Sequence, residues 1–277
     1  MKTTVKQQVL KGMLVVAAVV SMGACQTVQT TKSGAVGVDR TQRMAVAPGA
    51  LEQAAREQYA ELIARERQKG TLNRNPEQVA RVRTIVNRLI PQTAHFRPDA
   101  VKWQWETNVI TSQEVNAWCM PGGKMAVYTG LMERLNVTDD ELAAVMGHEI
   151  AHALREHARE RASEQMVASG IISVGTALFG LGDIGQQGAE FAYMGLLGLP
   201  NSRKHETEAD RIGVELAARA GYDPRAAISL WQKMGKASSG EPLKFLSTHP
   251  STADRVNDLT AYSQRVMPLY EQARKGR

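Results

Sequence analysis

The sequence predicts a mostly helical α+β fold in which a small β-sheet lies beside one central helix. Three observations carry this reading. Amphipathic runs with helical spacing and clear start signals recur along the chain. Short alternating runs gather around the Pro121-Gly122-Gly123 turn. Just beyond them, His148-Glu149-Ile150-Ala151-His152 sets two histidines four residues apart in helical sequence.

Taken in order, residues 1–24 read as a lipoprotein signal peptide. Lys2, Lys6 and Lys11 form a basic region, Met13 to Val20 an apolar one, and Met22-Gly23-Ala24-Cys25 resembles a lipobox. Cys25 is then the lipidated N-terminus, and Gln26 after it favours sorting to the outer membrane. Residues 25–47, rich in Thr, Gln, Gly, Val and Ser, read as a flexible tether from that anchor. Residues 48–277 make the folded domain, and about 250 mature residues suffice for one buried core.

Pro48 to Lys69 is an amphipathic helix with Leu51, Ala55, Tyr59, Leu62 and Ile63 on one side. Asn75-Pro76 caps a second helix running to about Ile90. Val101, Trp103 and Trp105 alternate with polar residues and read as a half-buried strand. Glu114 to Met120 and Lys124 to Thr129 supply two more. Thr138-Asp139-Asp140-Glu141 is a capping box, and Leu142, Val145, Met146, Ile150 and Leu154 form the apolar stripe of the helix it opens. Met166 to Gly182 and Phe191 to Leu199 are apolar and read as a lid-like helical pair in preference to a membrane span. Asp223-Pro224 opens another helix, and a last one runs from Ser251 to Val266.

The chemistry starts from the two histidines. Residues four apart share a helix face, so both imidazoles can reach one Zn²⁺ ion, and Glu149 between them can act as base on an activated water. A third histidine six residues after His152 is excluded, because position 158 is alanine. A glutamate on a later helix remains, and Ser202 to Asp210 is the best source. Glu206 reads as the third ligand and Asp210, on the same face, as partner to a ligand imidazole. The small Ala209 and Gly213 allow that helix to come close. On this reading His205, Glu208, His157 and His95 are not ligands.

Four blocks then resemble the CAAX prenyl protease-type zinc metallopeptidases, in particular their bacterial periplasmic lipoprotein branch. They are Asn116 to Gly123, the HExxH stretch, Ser202 to Gly213, and His249-Pro250-Ser251-Thr252-Ala253-Asp254-Arg255. The resemblance spans about residues 70–265. It implies a zincin-like, gluzincin-type domain and a metalloendopeptidase with one zinc per chain, ligands His148, His152 and Glu206, and catalytic base Glu149. By the same resemblance His249 is either a reversible fourth ligand that keeps the enzyme latent or a structural histidine. Arg255 either stabilises an oxyanion or pairs with a carboxylate such as Asp210. Trp118-Cys119 departs from the smaller residues expected there, which bears on the shape of the substrate groove.

Asn116 and Ala117 open a strand whose edge could receive a substrate backbone, unless this is a plain core hairpin. Cys119, the one cysteine left once Cys25 is taken by the lipid, reads as an inert buried thiol. Removing the leader lowers the net charge from +6 to about +3, and there is no basic run interleaved with aromatics, so a nucleic-acid partner is excluded. The preferred function is a zinc endopeptidase at the periplasmic face of the outer membrane, acting on misfolded or unassembled envelope proteins. The alternative is a chaperone or assembly factor for outer-membrane proteins, with a latent or structural zinc site and outer-membrane assembly machinery as its partner.

Overall fold

The structure, a computed structural model, describes residues 26–168, 200–238, 243–250 and 254–276. The leader with Cys25, most of the apolar 166–199 region and Ser251 lie outside the described residues. Among the described residues no helix is long and apolar enough to cross a membrane.

Helices and short sheets alternate along the chain as a mostly helical α+β fold. Strands β1 (Gln26–Val28) and β2 (Gln42–Met44) pair antiparallel. Helices α1 (Pro48–Gln68) and α2 (Pro76–Leu89) follow, the second capped by the Asn75 side chain, which accepts from the Glu77 and Gln78 backbone. A mixed three-stranded sheet comes next. Its centre, β5 (Lys124–Tyr128), pairs parallel with β3 (Glu106–Ile110) and antiparallel with β4 (Ala117–Met120). The short α3 (Thr129–Arg134) leads to the motif helix α4 (Asp139–Leu154), where Thr138 and Glu141 form the expected reciprocal cap. Then come α5 (His157–Ala168), α6 (Arg203–Arg219), α7 (Ala226–Ala237), α8 (Lys244–Thr248) and α9 (Arg255–Lys275).

Alternation along the strands builds a core on each side of the sheet. Met125, Val127 and Ala117 face the main core with α2, α4 and α6. Ala126, Trp118 and Met120 face α1 through Tyr59 and Ile63. The Tyr59 hydroxyl, itself buried, donates to the Met125 carbonyl (3.1 Å) and accepts from Asn108 Nδ2 (2.9 Å), so its polar end is satisfied inside this second core. Strand β4 is an edge, paired only with β5 among the described residues, and it packs against the motif helix.

Two expectations are corrected here. The alternating Val101–Glu106 run is not a strand. Pro98 starts a 3₁₀ turn over Pro98–Lys102, and the strand begins only at Glu106. The tryptophans stack on each other with ring centres 5.5 Å apart, and the Trp105 indole N–H donates to the Ala100 carbonyl. Their alternation reflects this local stack, which sequence periodicity cannot tell from a pleat. Residues 26–47 likewise are no free tether. Val36 and Val38 belong to the main core, and the Val36 amide donates to buried Glu215 (2.9 Å). Arg40 and Gln42 reach Glu160 and Glu208 beside α4. Part of the polar composition serves buried partners: Thr31 and Gln42 are buried, whereas Gln26, Thr27 and Lys32 face solvent.

The helices α4 and α6 cross where glycine faces glycine. A Cβ on Gly147 would sit 2.8 Å from the Gly213 carbonyl oxygen, and one on Gly213 would sit 2.8 Å from the His148 nitrogen. Both contacts are with backbone, so nothing can rotate aside. In an ordinary helix interior Gly→Ala is favourable by up to about 1 kcal/mol. Gly235 on α7 is exposed with open space around it, and Gly235→Ala is expected to raise stability by that amount. Gly213→Ala is expected to lower it by about 1–3 kcal/mol, because overpacking outweighs propensity. Urea unfolding of both variants checks this; equal gains at the two positions would mean that the helices do not meet as described.

Candidate metal centre

The α4–α6 crossing fixes which side chains meet. Four residues after Gly147 and five after it stand Ala151 and His152, and on α6 the turn before Gly213 carries Glu206 and Asp210. His148, His152, Glu206 and His249 are all buried, and each offers a donor atom within 4.8 Å of the others. His148 Nε2 lies 3.0 Å from His152 Nε2, 3.2 Å from His249 Nδ1 and 3.5 Å from Glu206 Oε2. Glu206 Oε1 lies 3.3 Å from His152 Nε2 and 3.0 Å from His249 Nδ1.

Those spacings answer whether zinc fits. Donors at the usual zinc distances of about 2.0–2.1 Å stand roughly 3.3 Å apart around a tetrahedron. The observed separations bracket that edge. The imidazole orientations make the same point: with its Nδ1 engaged by Asp210 Oδ1 at 2.9 Å, His148 directs its Nε2 at the other three donors, where a bound cation would take its lone pair. Such an arrangement is favourable around a cation. The donor set of nitrogens and a carboxylate suits zinc.

Charge around the cluster points the same way. Burial opposes protonation of His148, yet Asp210 and Glu206 outweigh it and carry the pKa up to about 9. Burial also disfavours an ionised Glu206, but His249, His148 and His152 hold its carboxyl well below the usual range. The site therefore keeps its carboxylate charged and welcomes positive charge. His152 goes the other way, its pKa pushed down chiefly by burial.

Glu149 faces the cluster from the same helix. Burial raises its pKa, partly offset by His249 and His148, and the backbone of Cys119 on β4 adjoins it. Its Oε1 is buried without a hydrogen bond among the described residues and lies 3.4 Å from His249 Nε2. A buried carboxylate oxygen left unsatisfied beside a metal cluster is unusual in a merely structural setting.

Arg255 closes the back of the site. Its Nη1 donates to Glu206 Oε2 (2.9 Å) and its Nη2 to Asp210 Oδ1 (2.7 Å), while the guanidinium stacks 3.4 Å from the Trp231 ring centre. This is the carboxylate-pairing alternative of the two raised for it. Asn116 and Ala117 sit where β4 begins. The Asn116 amide donates to Glu114 (2.8 Å) and its Oδ1 accepts from the Ala117 N–H (3.0 Å), so the side chain is engaged with its own strand. Cys119 is half-buried and burial pushes its thiol pKa well up, consistent with an inert residue.

Sequence reasoning missed the shell around His152. Glu156 adopts a left-handed backbone (φ 52°), which ends α4 and turns the chain so that His157 returns to His152. Arg155, just past the end of the helix, is fully buried and bonded to Glu208 (2.9 Å). A second buried trio, His157, Glu160 and His205, also brings donor atoms within 4.8 Å. Its two rings stack with centres 4.4 Å apart and planes 21° from parallel, and Glu160 is already paired with Arg40 and Gln42. Parallel stacked imidazoles cannot both aim a lone pair at one ion, so this trio is a hydrogen-bond network.

Known proteins extend the picture. The chain is 37% identical over 187 residues to the mitochondrial metalloendopeptidase OMA1 of Arabidopsis thaliana, covering 62% of this chain and 35% of that protein. It is 40% identical over 158 residues to OMA1 of Schizosaccharomyces pombe, covering 56% and 46%. It is 28% identical over 188 residues to the beta-barrel assembly-enhancing protease of Escherichia coli, covering 63% and 38%. The chain thus spans less than half the length of each of these relatives. The family model of peptidase family M48 matches residues 76–263, a stretch that holds all four cluster residues together with Glu149, Asp210 and Arg255. Two helices crossing at glycines, a buried zinc-type donor set with a carboxylate beside it, and this match along most of the folded domain lead to one assignment: the chain belongs to peptidase family M48.

Proposed function

We propose that this protein is a zinc metalloendopeptidase that cuts misfolded or unassembled envelope proteins at the periplasmic face of the outer membrane, tethered there through Cys25. The observation that carries the catalytic part is Glu149, a buried carboxylate beside the His148, His152 and Glu206 donors, one oxygen of which makes no hydrogen bond among the described residues. The names of the relatives, metalloendopeptidases and beta-barrel assembly-enhancing proteases, support the substrate class. The lipobox-like leader supports the location.

When bound by His148, His152 and Glu206, zinc supplies the Lewis acid that polarises a scissile carbonyl and acidifies a water. The protein does the rest. Asp210 and Arg255 hold His148 and Glu206 in place. The edge strand β4 receives the substrate backbone as an added strand, which suits a protease with little side-chain preference. An arriving peptide takes the Ala117 N–H from Asn116, freeing that amide to bond the peptide in turn. Glu149 then accepts the water's proton at its carboxylate and delivers it to the leaving amine; its raised pKa suits both halves of that task.

His249 keeps the enzyme latent on this reading. Its Nδ1 takes the fourth donor position while its Nε2 lies 3.4 Å from Glu149 Oε1, so one side chain occupies both the metal and the base. The same closed four-donor set is what favours the second reading, an assembly factor with structural zinc. Such a site has no use for a buried base.

Purified mature protein loaded with zinc, compared with Glu149→Gln on an unfolded protein substrate, separates the two. Loss of about 10²–10⁴-fold in turnover with zinc retained is expected; equal cleavage by both forms would remove Glu149 from the mechanism. Basal cleavage by His249→Ala is expected to rise with zinc content unchanged. Unchanged or lower turnover in that variant would overturn latency.

A further inference from the structure

The two histidines of the motif helix are oriented differently. For His148 the partner is direct, since Nδ1 meets the Asp210 carboxylate at 2.9 Å. For His152 it is another imidazole: His152 Nδ1 lies 2.8 Å from His157 Nδ1. Two facing ring nitrogens at that distance need one proton between them. His152 turns its Nε2 toward the cluster, 3.0 Å from His148 Nε2 and 3.3 Å from Glu206 Oε1, so when that nitrogen holds the metal the proton must sit on His152 Nδ1. His157 Nδ1 is then the acceptor, and the only nitrogen left to carry its proton is Nε2. That nitrogen lies 3.0 Å from Glu208 Oε2. Glu208 in turn is held by Arg155 Nε (2.9 Å) and by Arg40, which clamps it from the segment ahead of α1.

We propose that His157 and Glu208 are positioning residues for the metal: Glu208, fixed by Arg155 and Arg40, holds His157 as the Nε2–H tautomer, which makes His157 the hydrogen-bond acceptor that presents His152 Nε2 to zinc. The inference rests on zinc binding at the His148, His152 and Glu206 cluster but not on peptidase activity. His157 and Glu208 are both buried and His157 is fully enclosed, so water does not replace either partner. Glu208 therefore does for His152, through one imidazole, what Asp210 does for His148 directly.

The tautomer is read on the zinc-loaded wild-type chain by long-range ¹H–¹⁵N correlation of the histidine rings, with no variant required. The expected pattern is a protonated Nδ1 on His152 and a protonated Nε2 with bare Nδ1 on His157. A proton on His157 Nδ1, in either a neutral or a doubly protonated ring, would overturn the proposal. Zinc affinity, by competition with a chelating dye, gives the energetic arm. His157→Leu removes the acceptor and is expected to weaken binding about 10–100-fold, whereas His157→Asn, whose amide oxygen can stand near the place of Nδ1, is expected to stay within about fivefold of wild type. Melting of both zinc-free variants checks that they are folded. Leu at wild-type affinity, or Asn as weak as Leu, would count against a positioning role. None of these readings uses proteolysis, so they stand whether or not the protein cuts the substrates proposed for it.

Discussion

Everything at this site depends on the backbone contact between Gly147 and Gly213. Helices with ordinary side chains pack with axes about 8–10 Å apart. Here a Cβ on either glycine would strike backbone at 2.8 Å, so the two helices meet main chain to main chain. Only at that separation can short carboxylate side chains on α6 reach imidazoles on α4. A wider crossing would still bury the apolar stripe of Leu142, Val145 and Met146, and the domain would fold. It would leave Asp210 and Glu206 short of their partners. Local helix stability is given up at two glycines for the geometry of the donor set.

That closeness concentrates charge in the core, and the protein answers with arginines. Glu206 and Asp210 share Arg255, while Glu208 and Glu160 share Arg40, with Arg155 also on Glu208. Burying such groups is costly unless each is paired and hydrogen-bonded. Guanidinium suits the task because its fork can serve two carboxylates at once. The face of Arg255 lies on Trp231, which covers the side of the cation that has no hydrogen-bond partner. Rigid carboxylates then orient imidazoles that would otherwise rotate about χ2.

How far this could be read from sequence follows from the range of each signal. Side-chain caps are legible locally, whereas the local alternation at Val101–Glu106 is not. The Asn75 and Thr138 caps involve atoms three residues apart, and both helix starts were found where the cap placed them. The pairing of Glu206 and Asp210 with the histidine helix was also legible, because helical spacing and the small Gly213 constrain it strongly. Long-range polar partners were not. Nothing near Arg155 in sequence shows that it will be buried against Glu208, more than fifty residues away. Residues 26–47 failed for the same reason, since a stretch poor in large apolar side chains gives no sign that Arg40 and Gln42 have partners inside the fold. His157, five residues beyond His152, would lie off the metal-facing side of a straight helix. The left-handed turn at Glu156 that brings it back occurs at a residue with no glycine to announce it.

The segment ahead of α1 therefore has a different physical status from a linker. Its β1–β2 pairing alone is too short to be stable by itself, since an isolated two-stranded ribbon is marginal in water. What holds it is burial of Val36 and Val38 and the bonds of Arg40 and Gln42 to carboxylates that also face the histidine network. The coupling is reciprocal by thermodynamic necessity: whatever docking of this segment contributes to the order of Glu208, ordering of Glu208 by a zinc-bound His152 contributes to docking. Arg40, Glu208 and His157 thus join the docked segment ahead of α1 to His152 through consecutive hydrogen bonds. A free linker would leave Glu208 without its Arg40 clamp, whereas the docked segment supplies it.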